Sequence, residues 1–158
     1  MANGVFNIAK GKANAFVERV ATNDPANSAL VAVYLESAQA DADLQDYDNL
    51  SLLLANAGNT EAAFTNYARI VKTDADISAP TPDDTANLMA SFIGNLTIAN
   101  AGGAVNETLA KIIICYDPDT TGGDDTTLIP LTHHDFTETT DGTDLIAQEA
   151  AGGFFSAS

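Results

Sequence analysis

Residues 109–116 read LAKIIICY, and this stretch carries the strongest strand signal in the chain, apolar and β-branched at its centre. An earlier stretch, ALVAVYL at 29–35, is a continuous apolar run of strand length, which predicts a strand buried on both faces. Working outward, Ala13, Phe16, Val17 and Val20 recur at i, i+3, i+4 and i+7, the spacing of one helical face, and predict a helix over 12–21. Asn23-Asp24-Pro25 ends it, because the residue before a proline resists the helical region. Residues 37–43 are small and polar and read as a loop. Asp48 is placed to cap a second short helix in which Leu50, Leu53, Leu54 and Ala57 share a face, with Gly58 as its left-handed C-terminal cap.

Beyond that helix the reading is of strands. Residues 65–73 alternate, with Tyr67, Arg69 and Val71 on one side, and predict a half-buried strand. Residues 73–85, with two prolines and four aspartates, predict an exposed loop. LMASFIGNLTIA at 88–99 reads either as two short strands or as one strand bent at Gly94, and Gly102-Gly103 turns the chain. Three further short strands are expected at 127–131, 135–139 and 144–148, the last two joined as a hairpin by Asp141-Gly142. The order helix, strand, helix, then a run of strands lacks the alternation of a parallel sheet. It predicts an α+β fold, a mainly antiparallel sheet with one or two short helices in the N-terminal half, organised as a single domain over 1–158.

Composition narrows the partners. Lys+Arg number 6 against 22 Asp+Glu, a net charge of −16. A surface this acidic repels phosphate, so neither nucleic acid nor an anionic membrane is an expected partner. No apolar stretch approaches the roughly 18 residues of a membrane span, and no apolar run follows the lysines of the N-terminus, so no signal peptide is expected. The chain contains 28 alanines, which leaves larger apolar residues enough for a modest core only. All six bases lie in the first 111 positions, and nine acids follow Lys111 with no base among them. That strip reads as a solvated face, as a surface that docks on a basic partner, or as a cation-binding cluster; composition alone leaves the three open.

The candidate chemistry is sparse. Asp117, Asp119, Thr121 and Asp125 occupy positions one, three, five and nine of a calcium-loop pattern, with Gly122 at six. Leu128 stands where the bidentate glutamate belongs, so any Ca²⁺ binding is expected to be weak and no cofactor is otherwise implied. The plainer reading is an Asp/Gly/Thr turn between two strands. His133 and His134, adjacent on an extended segment, point to opposite faces and cannot both ligate one metal; they read as surface or edge-strand histidines. Cys115 follows three isoleucines, with no basic neighbour to activate it, and reads as a core residue. No nucleophile elbow, phosphate loop or dinucleotide motif occurs, and the chain reads as no enzyme. Phe154 and Phe155, near the end of the chain, are expected to anchor the tail to the core.

Three segments, MANGVFNIAKGKANAFVERVATNDPANSALVAVYLE at 1–36, ICYDPDTTGGDDTTLIPLTHHDF at 114–136 and DLIAQEAAGGFFSAS at 144–158, resemble a family of small structural proteins of tailed bacteriophages, encoded near the major capsid protein. The stretch 78–105 has no counterpart in that likeness. The resemblance implies a virion component assembled in the host cytoplasm, most simply a capsid decoration (cement) protein on the outer head shell. Its implied partners are the major capsid protein and copies of itself, a trimer being favoured. The alternatives are a tail or neck subunit, such as a tube or adaptor, and a head fibre or Ca²⁺-dependent module that binds a host surface. The N-terminal segment 1–12, with Val5, Phe6, Ile8, Lys10 and Lys12, is the expected docking arm, able to add a strand to a partner's sheet edge.

Overall fold

The computed structural model describes residues 3–157. In chain order its elements are β1 (Asn3–Val5), a 3-10 turn (Asn7–Ala9), α1 (Ala13–Ala21), β2 (Ala29–Ser37), α2 (Asp41–Leu44) and α3 (Leu50–Ala55). Then come β3 (Thr60–Glu61), β4 (Ile70–Lys72), β5 (Thr81–Asp83), β6 (Leu88–Ser91), β7 (Leu96–Ile98), β8 (Lys111–Asp117), β9 (Ile129–Asp135), β10 (Leu145–Ala147) and β11 (Phe155–Ala157). The fold is α+β and mostly antiparallel, with its three short helices in the N-terminal half. None of the described helices is long and apolar enough to cross a membrane.

The central sheet runs β1-β9-β8-β2-β3, and β4 pairs with β2 alongside β3. Its middle is the pair β2 and β8, in register from Ala29↔Asp117 to Leu35↔Lys111. The apolar runs at these two strands are continuous because both faces are covered. Leu30, Ala32 and Tyr34 with Ile112, Ile114 and Tyr116 face one layer, which holds Val17 and Val20 of α1 and Leu96 and Ile98 of β7. Val31, Val33 and Leu35 with Ile113 and Cys115 face the other, where Phe6, Leu44, Leu50, Leu53 and Leu128 pack. On the first face Phe16 stacks on Tyr116 at 4.8 Å between ring centres. The two smaller sheets, β10-β7 and β11-β6-β5, lie on the side of α1.

One extra residue enters β9. Thr132 is opposite Ile114 and Pro130 opposite Cys115, so Leu131 is a bulge whose side chain turns into the first core cluster. Pro130 has no N–H to offer a ladder, and it sits where β1, which reaches only Thr132, does not pair.

Several expectations are corrected. Asn49, not Asp48, caps α3, its side chain accepting from the Leu52 N–H at 2.9 Å. Gly58 is not among the left-handed residues; α3 closes instead on an extended Asn56, whose side chain accepts from the Gly58 N–H. α2, Asp41–Leu44, begins inside the 37–43 stretch expected as a loop. Only Ile70–Lys72 of the 65–73 run is strand, and β5 lies within the expected 73–85 loop. The 88–99 stretch is two strands, broken at Gly94 with φ +74. The strand expected at 135–139 is absent: β9 runs to Asp135, and beyond it only Thr139 bridges, to Thr108. Asp141-Gly142 does turn the chain, with Gly142 at φ +96, but it delivers β10 to β7 rather than to a hairpin partner. The tail is anchored as expected, Phe155 pairing with Ser91 and Phe154 packing on the core.

Tyr67 explains why 65–69 is not strand. Between the stretch of β2 paired with β4 and that paired with β3, the Tyr34 N–H donates to the Tyr67 hydroxyl at 3.2 Å, and that hydroxyl donates to Glu61 at 2.8 Å. A side chain thus stands in for a ladder bond at a place where the chain changes strands. Tyr67→Phe leaves the buried Tyr34 N–H without its acceptor and is expected to cost about 1–3 kcal/mol. Thermal melting checks it, and an unchanged Tm contradicts the assignment.

Candidate functional site

The expected docking arm is built into the sheet. Val5 pairs with Thr132 in β1 and is half-buried. Phe6 is 0% exposed and meets the His133 ring edge-on at 5.7 Å. Ile8 packs against the second core cluster. Phe6 therefore has no surface to offer a partner without leaving the core. Lys10 and Lys12 remain exposed, the Lys10 ammonium donating to the Asn7 side chain at 2.6 Å. Residues 1 and 2 of the arm lie outside the described residues.

The acidic loop is held by its own backbone. Asp117 accepts from the Asp119 N–H, Asp119 from the Thr121 N–H and hydroxyl, and Asp124 from the Thr126 N–H and hydroxyl. These bonds favour the ionised form and hold Asp119 and Asp124 below the usual carboxylate range. Asp125 is directed elsewhere, into a two-point ion pair with Arg69, whose guanidinium also grips Glu61 at 2.7 Å. Thr121 uses its hydroxyl within the loop. The four residues of the calcium-loop pattern therefore do not converge, and no three His, Cys, Asp or Glu side chains among the described residues are grouped to hold a metal ion.

A second ionic cluster joins α2 to the sheet. Lys111, 7% exposed, pairs with Asp41 at 2.7 Å and with Asp135 across the β8–β9 ladder. Burial works against its charge, but the two carboxylates outweigh that and raise its pKa. Beside it His133 is fully buried, with Nδ1 3.8 Å from Asp41 and Nε2 3.4 Å from the Gln45 amide nitrogen. His133 is thus no surface or edge-strand residue: β9 lies between β1 and β8. The two histidines do face opposite sides. A Cβ on Gly4 would fall 2.2 Å from the His133 ring, so glycine there makes room for it. Burial lowers the pKa of both histidines, that of His134 to about 4, with repulsion from His133 adding to the shift. His134 meets the Thr132 hydroxyl at 2.9 Å. Cys115 is fully buried and its thiol pKa is pushed up by that burial, as its sequence context predicts.

Neither ionic cluster is legible in the sequence, since each joins residues far apart along the chain. They also alter the picture of an uncompensated acidic strip. Two of its nine acids, Asp125 and Asp135, pair with Arg69 and Lys111, and β1 from the other end of the chain lies against β9. The C-terminal acidic strip is thus partly compensated by bases from earlier in the chain.

On the α1 side of the sheet lies a half-open groove of about 370 Å³. Ile112 and Ile114 of β8 and Leu96 of β7 line it, with Phe136 and Phe154, and His134 at one side. Comparison with protein-family models, with curated proteins and with solved structures finds no match to this chain.

Two outcomes follow from this chemistry. Because Asp125 is committed to Arg69, millimolar Ca²⁺ or EDTA is expected to leave the Tm unchanged; a rise with Ca²⁺ means that the loop rearranges to bind it. Both histidines bind protons less tightly when folded, so between pH 6.5 and about 4 the unfolded chain takes up more protons and stability falls with pH. For His134 the shift is worth up to about 3 kcal/mol at 1.36 kcal/mol per unit. Melting at pH 7 and pH 4.5 measures the loss, which His134→Gln is expected to reduce. The aspartates with lowered pKa add their own loss from about pH 5 downward, so it is the difference between the unaltered chain and His134→Gln that isolates the histidine part.

Proposed function

We propose that this chain is a non-enzymatic structural subunit of a tailed-bacteriophage virion, and within that class a capsid decoration protein that binds and stabilises the outer head shell. The observation that carries the reading is where the resembling segments lie. Residues 1–36 and 114–136 include β1, β2, β9 and the C-terminal part of β8, the four adjacent strands of the central sheet, and 144–158 adds β10 and β11. The stretch without a counterpart, 78–105, forms β5, β6 and β7 in the smaller sheets. The resembling segments thus supply most of the central sheet together with one strand of each smaller sheet.

The use of charged groups supports the same reading. Arg69 and Lys111 hold distant segments together, and the loop aspartates close turns. Side chains with reactive chemistry are used here to fix a shape, as a shell component requires. The copies would dock on the major capsid protein and on one another, a trimer being the favoured assembly, and many weak contacts on a closed shell add to firm attachment.

Deleting the N-terminal segment would remove Phe6 from the core, so charge reversal is the cleaner test. Lys10→Glu with Lys12→Glu is expected to lower co-sedimentation with empty capsids of the cognate major capsid protein several-fold, with the Tm preserved. Light scattering of the unaltered 16.4 kDa chain is expected to give a trimer. A hexameric or larger ring contradicts decoration and favours a tail or neck subunit. Failure of the unaltered chain to sediment with capsids contradicts the reading itself.

A further inference from the structure

The groove over β8 is a preformed recess with a one-signed rim. Its floor is closed over Ile112 and Ile114, which are 4% and 1% exposed, and the apolar surface it presents to solvent comes from the half-buried Phe136, Ala147 and Phe154. One wall, residues 147–154, is fastened from both ends. Glu149 accepts from the N–H groups of Ile93 and Gly94 at 2.7 and 2.9 Å, and the Phe154 N–H donates to the Ser91 carbonyl at 3.0 Å. The opposite wall, 136–138, is tied to the sheet through Phe136 N–H to Ala110 and Leu109 N–H to Glu138. With both walls held, the recess is a feature of the fold rather than a gap awaiting collapse. Its volume of about 370 Å³ lies within the range of ligand and peptide sites and exceeds by far the ~30 Å³ of one water molecule.

Charge selects among occupants. Glu138 and Glu149 stand at the rim, Glu138 exposed, and none of the described residues that line the groove is Lys or Arg. Asp135 also borders it, paired with Lys111. An anionic guest would meet these carboxylates and the field of a chain of net charge −16. A purely cationic guest would leave the half-buried faces of Phe136 and Phe154 in water. The chemistry that satisfies both surfaces is an apolar body with positive charge beside it.

We propose that this groove is the docking site for an extended segment of a protein partner in which one bulky apolar side chain is flanked by lysine or arginine. The apolar side chain enters over Ile112 and Ile114, and the flanking cations lie against Glu138 and Glu149. The inference rests on the proposed function only in taking the partner to be another protein of the same particle.

Three peptides test it: acetyl-Lys-Phe-Lys-amide, acetyl-Lys-Ser-Lys-amide and acetyl-Glu-Phe-Glu-amide, titrated into the full chain with amide chemical shifts as the readout. The Lys-Phe-Lys peptide is expected to shift the amides of His134, Phe136 and Phe154. The Lys-Ser-Lys and Glu-Phe-Glu peptides are expected to bind at least about tenfold more weakly. Glu138→Gln should weaken the first peptide about two- to threefold, and Ala150→Trp, placed at the exposed rim, should block it with the Tm unchanged. Equal binding of Lys-Ser-Lys overturns the proposal in favour of general attraction to an acidic surface. Shifts elsewhere, or no binding by Lys-Phe-Lys, overturn it as well. Groove shifts that depend on protein concentration alone would assign the groove to a second copy of this chain and overturn it in that form. Any of these results leaves the capsid co-sedimentation untouched, so the two readings fail separately.

Discussion

The antiparallel pairing of β2 with β8 holds seven residues in register, from Ala29↔Asp117 to Leu35↔Lys111, at the middle of a sheet that is covered on both sides. Every second side chain of the pair belongs to one core and the alternate ones to the other. Burying an isoleucine or leucine is worth about 1.5–3 kcal/mol, and this pair supplies such residues to both layers at once. A one-residue slip of β2 against β8 would turn every β2 side chain to the opposite face, sending Tyr34 toward α3 and Val33 toward α1. The register is therefore specified by two different layers, not by strand pairing alone.

Around that pair, polar side chains do what longer secondary structure does elsewhere. Among the described residues, strands other than β2, β8 and β9 are four residues or shorter, and much of the rest is turn and irregular connection. The Tyr67 hydroxyl replaces a ladder bond, and the buried Asn59 amide ties Gln39 to the Leu53 carbonyl. Arg69 joins residues 61 and 125, and Lys111 joins 41 and 135. A buried or half-buried cation matched by two carboxylates costs less than one left alone, and it fixes which segments meet. The two clusters together take up two of the six bases and four of the 22 acids.

How much of this could be read from the residues depends on the range of the physics involved. The strands at 29–35 and 109–116 were legible because burial on both faces leaves a continuous apolar run, and α1 because its apolar residues repeat at helical spacing. The helix at 50–55 was legible, yet its cap was displaced by one residue, since Asp48 and Asn49 are both competent caps and packing of Leu50 and Leu53 chooses between them. The 65–73 run misleads because Tyr67 and Arg69 are directed into specific bonds, and only Ile70–Lys72 joins a ladder. His133 was read as exposed because nothing local signals that Gly4 and Phe6, more than a hundred residues away, enclose it. The groove was invisible for the same reason: its floor, walls and rim come from β7, β8 and the segments after β9 and β10. The calcium-loop pattern was legible as a turn, whereas the commitment of Asp125 to Arg69 was not.

The functional reading depends on this architecture, since both the exposed lysines beyond β1 and the groove over β8 are positioned by the central sheet. Native-state amide hydrogen exchange tests its basis most directly. The hydrogen-bonded amides of β2 and β8 are expected to exchange slowest, at the rate set by global unfolding, and those of β5, β10 and β11 faster through local opening. Exchange in β8 as fast as in β11 would contradict the claim that the β2–β8 pair is the element on which both layers depend.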